Sequence, residues 1–301
     1  MQEDKYIEKD FSQYLIIIKD FFVFNIVPIF SITLISALFS IWIALNIVNE
    51  YRSSSTLIPS SIGEESSGLG GLSALGGLAG MDMDTPGRAN NLIGKELFKS
   101  KEFINNFINN HDLMVDLMAS KGWNQETDEL IIDKKIFDDG NWQRPSKGLI
   151  KPKPGPEEVY LKFYSKFSYT QERDKVITVG YTSFSPNFSK EVLSLLIEAV
   201  NDEVRRRDVE EAKSSRDYLI SQLSQTKQVN ISNLIANLIE DEIKNIKLAE
   251  VKKEYVYSIV DSPSIPISRY GVPRSLICFL ITLSGFFLSL VLVMLRSLVK
   301  R

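Results

Sequence analysis

The sequence predicts an α+β protein in which two transmembrane helices flank one large domain outside the lipid, and three observations predict it. Two uncharged apolar runs, FFVFNIVPIFSITLISALFSIWIALNIVN (21–49) and SLICFLITLSGFFLSLVLVML (275–295), lie near the two ends. Between them, over 50–272, helical and strand periodicities alternate. One very long helical pattern, 185–254, interrupts what otherwise reads as a small sheet.

Each apolar run is long enough to span. A run of about 21 residues at 1.5 Å rise covers roughly 31 Å, the thickness of a bilayer's hydrocarbon core, and a globular helix seldom lacks a polar face for so long. The first run exceeds the apolar region of about 7–15 residues in a signal peptide, and acids outnumber bases ahead of it. Pro28 is tolerable there, because membrane helices accept proline more readily than soluble ones. Two spans put the arm 1–20 and the tail 296–301 on one side. Arg296, Lys300 and Arg301 in that tail, with no acid, make this side cytoplasmic and 50–272 periplasmic.

Composition fits this layout. With 44% hydrophobic and 24% charged residues and a net charge of -3, the chain offers a globular domain and no basic surface for nucleic acid. The one cysteine, Cys278, lies inside the second span. The outer domain must therefore be held by its own core, by packing against copies of itself, or by both.

After the first span, YRSSSTLIP (51–59) has strand character. The loop 66-SSGLGGLSALGGLAGMD-82 lacks both the dinucleotide and the phosphate-loop glycine patterns. Its leucines predict a packed loop. Over 88–119, Leu92, Ile93 and Leu97, then Phe103, Ile104, Phe107, Ile108, Leu113 and Leu117, recur at helical spacing, with Ser100 as an N-cap between helices. The stretch holding Gly140, Pro145, Gly148, Pro152, Pro154 and Pro156 is expected to be loop or edge structure. Phe167 and Tyr169, a turn near Arg173 and Asp174, and then Ile177, Val179 and Tyr181 predict a hairpin.

Ser185 and Pro186 open the long helical region with N-cap and N1 residues in the favoured order. Val192, Leu195, Leu196, Ala199, Ala212, Leu219 and Leu223 form one stripe; Ile231, Leu234, Ile235, Leu238, Ile239, Ile243 and Ile246 form another. YVYSIVD (255–261) closes the domain as a strand. The order strand, helix, strand, strand, helical region, strand is that of a ferredoxin-like sheet, giving an α/β base of 50–184 and 255–262. A straight helix over 186–254 would be about 100 Å long, so it must double back into a coiled-coil-like stalk, 185–254. The break is expected at 224-SQTKQVNIS-232, where polar and β-branched residues interrupt the stripes. The joint 263–274 follows, where Pro263, Pro266 and Pro273 forbid helix and require an extended chain before Arg274.

Catalytic chemistry is not indicated. His111 has no second histidine or cysteine near it in the sequence to form a metal site or nucleophile pair. Arg205, Arg206 and Arg207 are flanked by Asp202, Glu203, Asp208, Glu210 and Glu211 at helical spacing, which reads as a solvated helix face. Glu240, Asp241 and Glu242 are neighbours on one helix and point in different directions. No cofactor or metal is expected. Small residues at four-residue spacing, Ser36, Ser40 and Ala44 on the first span and Gly285 and Ser289 on the second, mark faces where membrane helices can approach closely.

The first span, the stretch LGGLSALGGLAGMD, the long helix from VRRRDVEEAKSSRDYLISQLSQTKQ to LAEVKKEYVYSIVD, and the proline segment together resemble the Wzz-type chain length determinants of bacterial surface polysaccharides, also called polysaccharide co-polymerases. Pro263, Pro266, Pro273 and Arg274 correspond to that family's proline motif, with a gap before Pro273 one residue longer. The second span has a single glycine, Gly285, where the family is glycine-rich. The resemblance implies a non-enzymatic protein of the bacterial inner membrane. It further implies a homo-oligomeric ring, an O-antigen polymerase and its lipid-linked polysaccharide as partners, and control of O-antigen chain length in lipopolysaccharide. The alternative is an inner-membrane adaptor of capsule or exopolysaccharide export.

Overall fold

The computed structural model describes residues 23–60, 86–146, 148, 151–172 and 176–299. The N-terminal arm, the leucine–glycine loop 66–82, the turn at Arg173 and Asp174, and Lys300 and Arg301 of the tail lie outside the described residues. The chain divides into two units, 49–270 and the pair of terminal segments.

Helix α1 (Ile26–Asn46) carries no charge along its length. Strand β1 (Tyr51–Pro59) alternates, burying Ser53, Ser55 and Leu57 while Ser54 and Ile58 face outward. Three helices follow: α2 (Pro86–Leu97), α3 (Lys101–Asn110) and α4 (Met114–Ala119). Ser100 caps α3, its hydroxyl accepting from the Phe103 amide at 3.3 Å, and exposed His111 ends the helix with its ring against Phe107.

Two small hairpins come next, β2 (Ser120–Asn124) with β3 (Glu129–Ile132) and β4 (Phe137–Asp138) with β5 (Asn141–Trp142). The segment that then follows departs from expectation. Helix α5 (Pro156–Lys166) stands at the end of the proline-rich stretch read above as loop or edge structure. Pro156 occupies the first turn, where its missing amide has no partner to lose, and Val159 and Phe163 are buried one turn apart. Arg144 holds the preceding loop, donating to the carbonyls of Lys151 and Pro152 and to the Glu158 carboxylate.

Strands β6 (Phe167–Gln171) and β7 (Ile177–Ser183), helices α6 (Pro186–Gln225) and α7 (Val229–Val251), strand β8 (Tyr257–Asp261) and helix α8 (Arg274–Val299) complete the chain. The main sheet has the antiparallel order β6-β7-β1-β8. Ser53, Ser55 and Leu57 stand opposite Tyr181, Val179 and Ile177 in register and share their buried face. The core gathers these residues with Phe98, Ile104, Phe107, Ile108, Phe163 and Phe167 and with one face of α6.

That face is Val192, Leu193, Leu196, Ile197, Val200, Asn201 and Val204, so the first half of α6 belongs to the core of the base. The buried face keeps Val192 and Leu196 of the sequence stripe, but Leu193 and Ile197 are buried where Leu195 and Ala199 are only half so. Ser185 caps α6 through the Phe188 amide at 3.2 Å. Asn201 supplies what the returning chain needs. Its Oδ1 accepts from the amides of Val256 (2.8 Å) and Tyr257 (2.9 Å), and its Nδ2 donates to the carbonyls of Tyr257 and Ile197.

Beyond Val204 the helix leaves the core and pairs with α7. Arg205 donates to the Lys252 carbonyl and Ser215 to Glu242, which makes the pair antiparallel about Thr226–Gln228, inside the predicted break. The arms are unequal, 40 residues against 23. On this paired part Arg206 bridges Glu203 and Glu210, and Lys244 meets Glu240 and Asp241. These are exposed pairs worth little each.

In the other unit α1 packs along α8. Both are long and apolar enough to cross a membrane. Most of their large side chains face outward, Val27 and Leu45 being each 71% exposed. A water-soluble helix pair would bury this surface.

Candidate functional site

Among the described residues no three of His, Cys, Asp and Glu gather as a metal site. What the structure does build with care is the joint between β8 and α8 and the seam between α1 and α8.

The joint lies alongside β1. The Ser55 hydroxyl donates to the Asp261 carbonyl at 2.7 Å and the Ser53 hydroxyl to the Ser264 carbonyl at 2.8 Å. Both serines are buried on the inward face of β1, and their hydroxyls satisfy the carbonyls on either side of Pro263, which itself supplies no amide. Pro263 is buried, Pro266 half-buried and Pro273 exposed. β8 is an edge strand, and prolines beyond it continue the edge without donors for another strand to join.

At the far end, Tyr270 closes the joint. Its amide donates to the Glu50 carbonyl at 2.6 Å, its hydroxyl accepts from Arg52 at 2.6 Å, and the Arg52 guanidinium lies 4.7 Å from its ring centre. Glu50 is itself ion-paired with Lys166 at the end of α5, whose ammonium also lies over Phe184. The residue before the sheet and the residue after the joint are thus bridged to each other. Gly271 follows with φ of +114°, a conformation that a side chain would strain.

Among the terminal helices, Arg274 donates to the Ile47 carbonyl at 2.8 Å, capping the end of α1. The Pro273 carbonyl accepts from Leu276 and Ile277 and starts α8. The seam runs through small residues. Ser36 donates to the Ile281 carbonyl at 3.0 Å, and a Cβ placed on Gly285 would run into Ser36. The Cys278 thiol lies 3.7 Å from the Ser40 carbonyl. Ser40, Ala44 and Ser289 are buried.

The structure therefore distributes the sequence-marked residues over two places. Pro263 and Pro266 lie along β1; Pro273 and Arg274 open α8; Ser36, Ser40, Ala44, Gly285 and Ser289 lie along the terminal helices. Sequence reasoning did not single out Glu50, Arg52, Ser53, Ser55 or Tyr270. A readable signal existed: YRSSS is an unusually hydroxylic start for a strand with a buried face, and Tyr270 is the one aromatic residue among the prolines.

Electrostatic perturbations lie elsewhere and have structural causes. Burial holds the Asp208 carboxyl above its ordinary range, against the hydrogen bonds from Tyr255 and Asn90. Burial likewise raises Asp116, with Glu191 adding repulsion. The Arg144 guanidinium holds Glu158 below the usual carboxylate range.

Comparison with known proteins returns a likeness of structure. No family model matches the chain, and no curated protein matches it. Among solved structures it is similar to a full-length bacterial polysaccharide co-polymerase, at 11% identity over 93% of this chain and 96% of that one, with a TM-score of 0.41. It is also similar to a fragment of WzzB, a polysaccharide co-polymerase from Salmonella Typhimurium, at 13% identity over 74% of this chain and all (100%) of that one, TM-score 0.37. A third is a mutant of the Shigella flexneri lipopolysaccharide O-antigen chain-length regulator WzzBSF, at 12% identity, with 73% and 100% covered and a TM-score of 0.29.

Proposed function

We propose that this chain is a non-catalytic polysaccharide co-polymerase of the bacterial inner membrane, which sets O-antigen chain length by acting with the polymerase on its lipid-linked product. The observation that carries the reading is the helical hairpin. Two helices alone leave Tyr218, Ile220, Val229, Ile231, Leu234, Ile243, Leu248 and Val251 exposed, and bury few apolar residues between them. Such a hairpin needs neighbours. Copies of the chain arranged in a closed ring supply them symmetrically, each stalk covering the next.

The finer architecture belongs to the same proposal. The βαββαβ order and the sheet order β6-β7-β1-β8 support a ferredoxin-like base. The basic tail supports cytoplasmic ends and a periplasmic domain. Pro263, Pro266, Pro273 and Arg274 serve as the functional joint, and the small residues as the packing seam of the spans. A ring of joints and stalks acts by position, with no bond made or broken by its own side chains.

Deleting the gene and displaying lipopolysaccharide on a gel tests this. The clustered ladder should collapse to a smooth short-weighted decay while ligation persists. An unchanged ladder with capsule lost from the surface would assign the chain to capsule export instead.

A further inference from the structure

Ile267 is 100% exposed, and Ile265, Tyr270 and Val272 beside it are each half exposed or more, although the chain is tied to β1 at Ser264 and bridged to Glu50 at Tyr270. Arg269 stands among them, also exposed. An apolar run of this kind facing water is costly and needs an occupant.

The chain's own connectivity limits what that occupant is. Ile267 is seven residues before Arg274, where the second apolar helix begins, and Tyr270 is four before it. Extended chain spans at most about 3.6 Å per residue, so these tethers reach at most about 25 Å and about 14 Å. Glu50, bridged to Tyr270, is in turn four residues past the end of α1. The segment is thus leashed close to both spans.

Within the segment Pro266 has no amide to leave unpaired and the Tyr270 amide is bonded to the Glu50 carbonyl. Its other amides and carbonyls need the water and headgroups of a membrane surface, which sets its depth at the interface and not in the hydrocarbon. Its side chains are also of the kinds that settle at a membrane surface: isoleucine and valine for the acyl boundary, tyrosine and arginine for the headgroups.

We propose that residues 265–272 form an interfacial anchor, with Ile265, Ile267 and Val272 entering the outer edge of the bilayer and Tyr270 and Arg269 at headgroup level. The anchor rests on the two-span reading and is independent of chain-length control. It holds the start of the second span at a fixed depth from outside.

The test uses the full-length protein with Ile267→Cys in a Cys278→Ser background, carrying an environment-sensitive nitrobenzoxadiazole label, in vesicles of phosphatidylethanolamine and phosphatidylglycerol. Thr127→Cys in the same background, in the exposed turn between β2 and β3, is the water-exposed reference. The label at 267 should emit further to the blue than at 127, and lipids with a nitroxide near the headgroup should quench it more than lipids with a nitroxide deep in the chain. Emission at 267 matching 127 would overturn the anchor. So would a blue-shifted label insensitive to lipid nitroxides, which would place a protein surface, such as a second copy, over Ile267.

Discussion

Ser36 and Gly285 face each other across the two terminal helices so closely that residue 285 has no room for a side chain. A Cβ there would collide with both the Ser36 hydroxyl and the Ser36 Cβ, and a change of Ser36 rotamer moves only the first of these. The helices themselves must part. In parting they lose the bond from Ser36 to the Ile281 carbonyl.

Gly285→Leu is therefore expected to weaken the helix pair by about 1–3 kcal/mol, the usual cost of overpacking. Cys278 provides the readout, because its thiol lies beside the Ser40 backbone. Ser40→Cys should form an internal crosslink with Cys278 on mild oxidation in native membranes, and adding Gly285→Leu should sharply reduce it. Equal yields with and without the glycine would show that this contact does not hold the pair.

Asn201 is the second prediction. Replacing it with alanine leaves the amides of Val256 and Tyr257 without their acceptor in a buried place, and each such loss costs about 1–3 kcal/mol. Asn201→Ala should lower the urea midpoint of the detergent-solubilised protein markedly. Asn201→Asp keeps the acceptor but gives up both donations, to Ile197 and Tyr257, and buries a charge, so it should be no better. A midpoint unchanged in either variant would remove Asn201 from its place at the head of β8.

Asp208 makes a prediction about pH. Its folded carboxyl holds the proton more tightly than the ordinary value of 3.8, through burial. A raised acid contributes stability that is fully present below the unfolded value and is lost as pH rises through the folded one. At neutral pH its charge is a liability to the fold. Asp208→Asn, which can still accept from Tyr255, should raise stability at pH 7, and the advantage should vanish as pH falls below 3.8. A variant less stable than the parent at pH 7 would show that the charged hydrogen bonds outweigh burial.

Much of this architecture was legible because its signals are periodic and local. Strand β1 matches its sequence bounds, Ser100 and Ser185 cap the helices that they precede, and the turn of the long hairpin falls within the predicted break. The helix at 156–166 was not legible, because three prolines in five residues outweigh a short apolar stripe unless the last is recognised as an N1 proline followed by two acids. The latch of Glu50, Arg52 and Tyr270 was hidden for another reason. Its members lie some 220 residues apart and meet only because β8 returns beside β1. No pattern in either segment alone announces that contact.

The joint supports the last prediction. Replacing Pro266 and Pro273 with alanine removes barriers of about 3 kcal/mol each to helix, and α8 would then be free to grow backwards at about 1.5 Å per residue. Growth meets an obstacle at Tyr270. Each added turn would have to break its bond to Glu50 and then the bonds from Ser53 and Ser55, and Gly271 disfavours helix on the way. On the proposed function, the double substitution alone should therefore broaden the modal polysaccharide length only slightly. Combined with Tyr270→Ala, which removes the hydroxyl and ring that Arg52 holds, it should shift the distribution clearly, with protein level and oligomer size unchanged. Both substitutions of Tyr270 keep the backbone bridge to Glu50; Tyr270→Phe also keeps the ring contact with Arg52, losing only the hydroxyl bond, and should fall between. If the triple variant gives a normal ladder from stably expressed protein, the joint only terminates a strand. If the proline pair alone shifts the ladder as far as the triple, Tyr270 is not what restrains the helix.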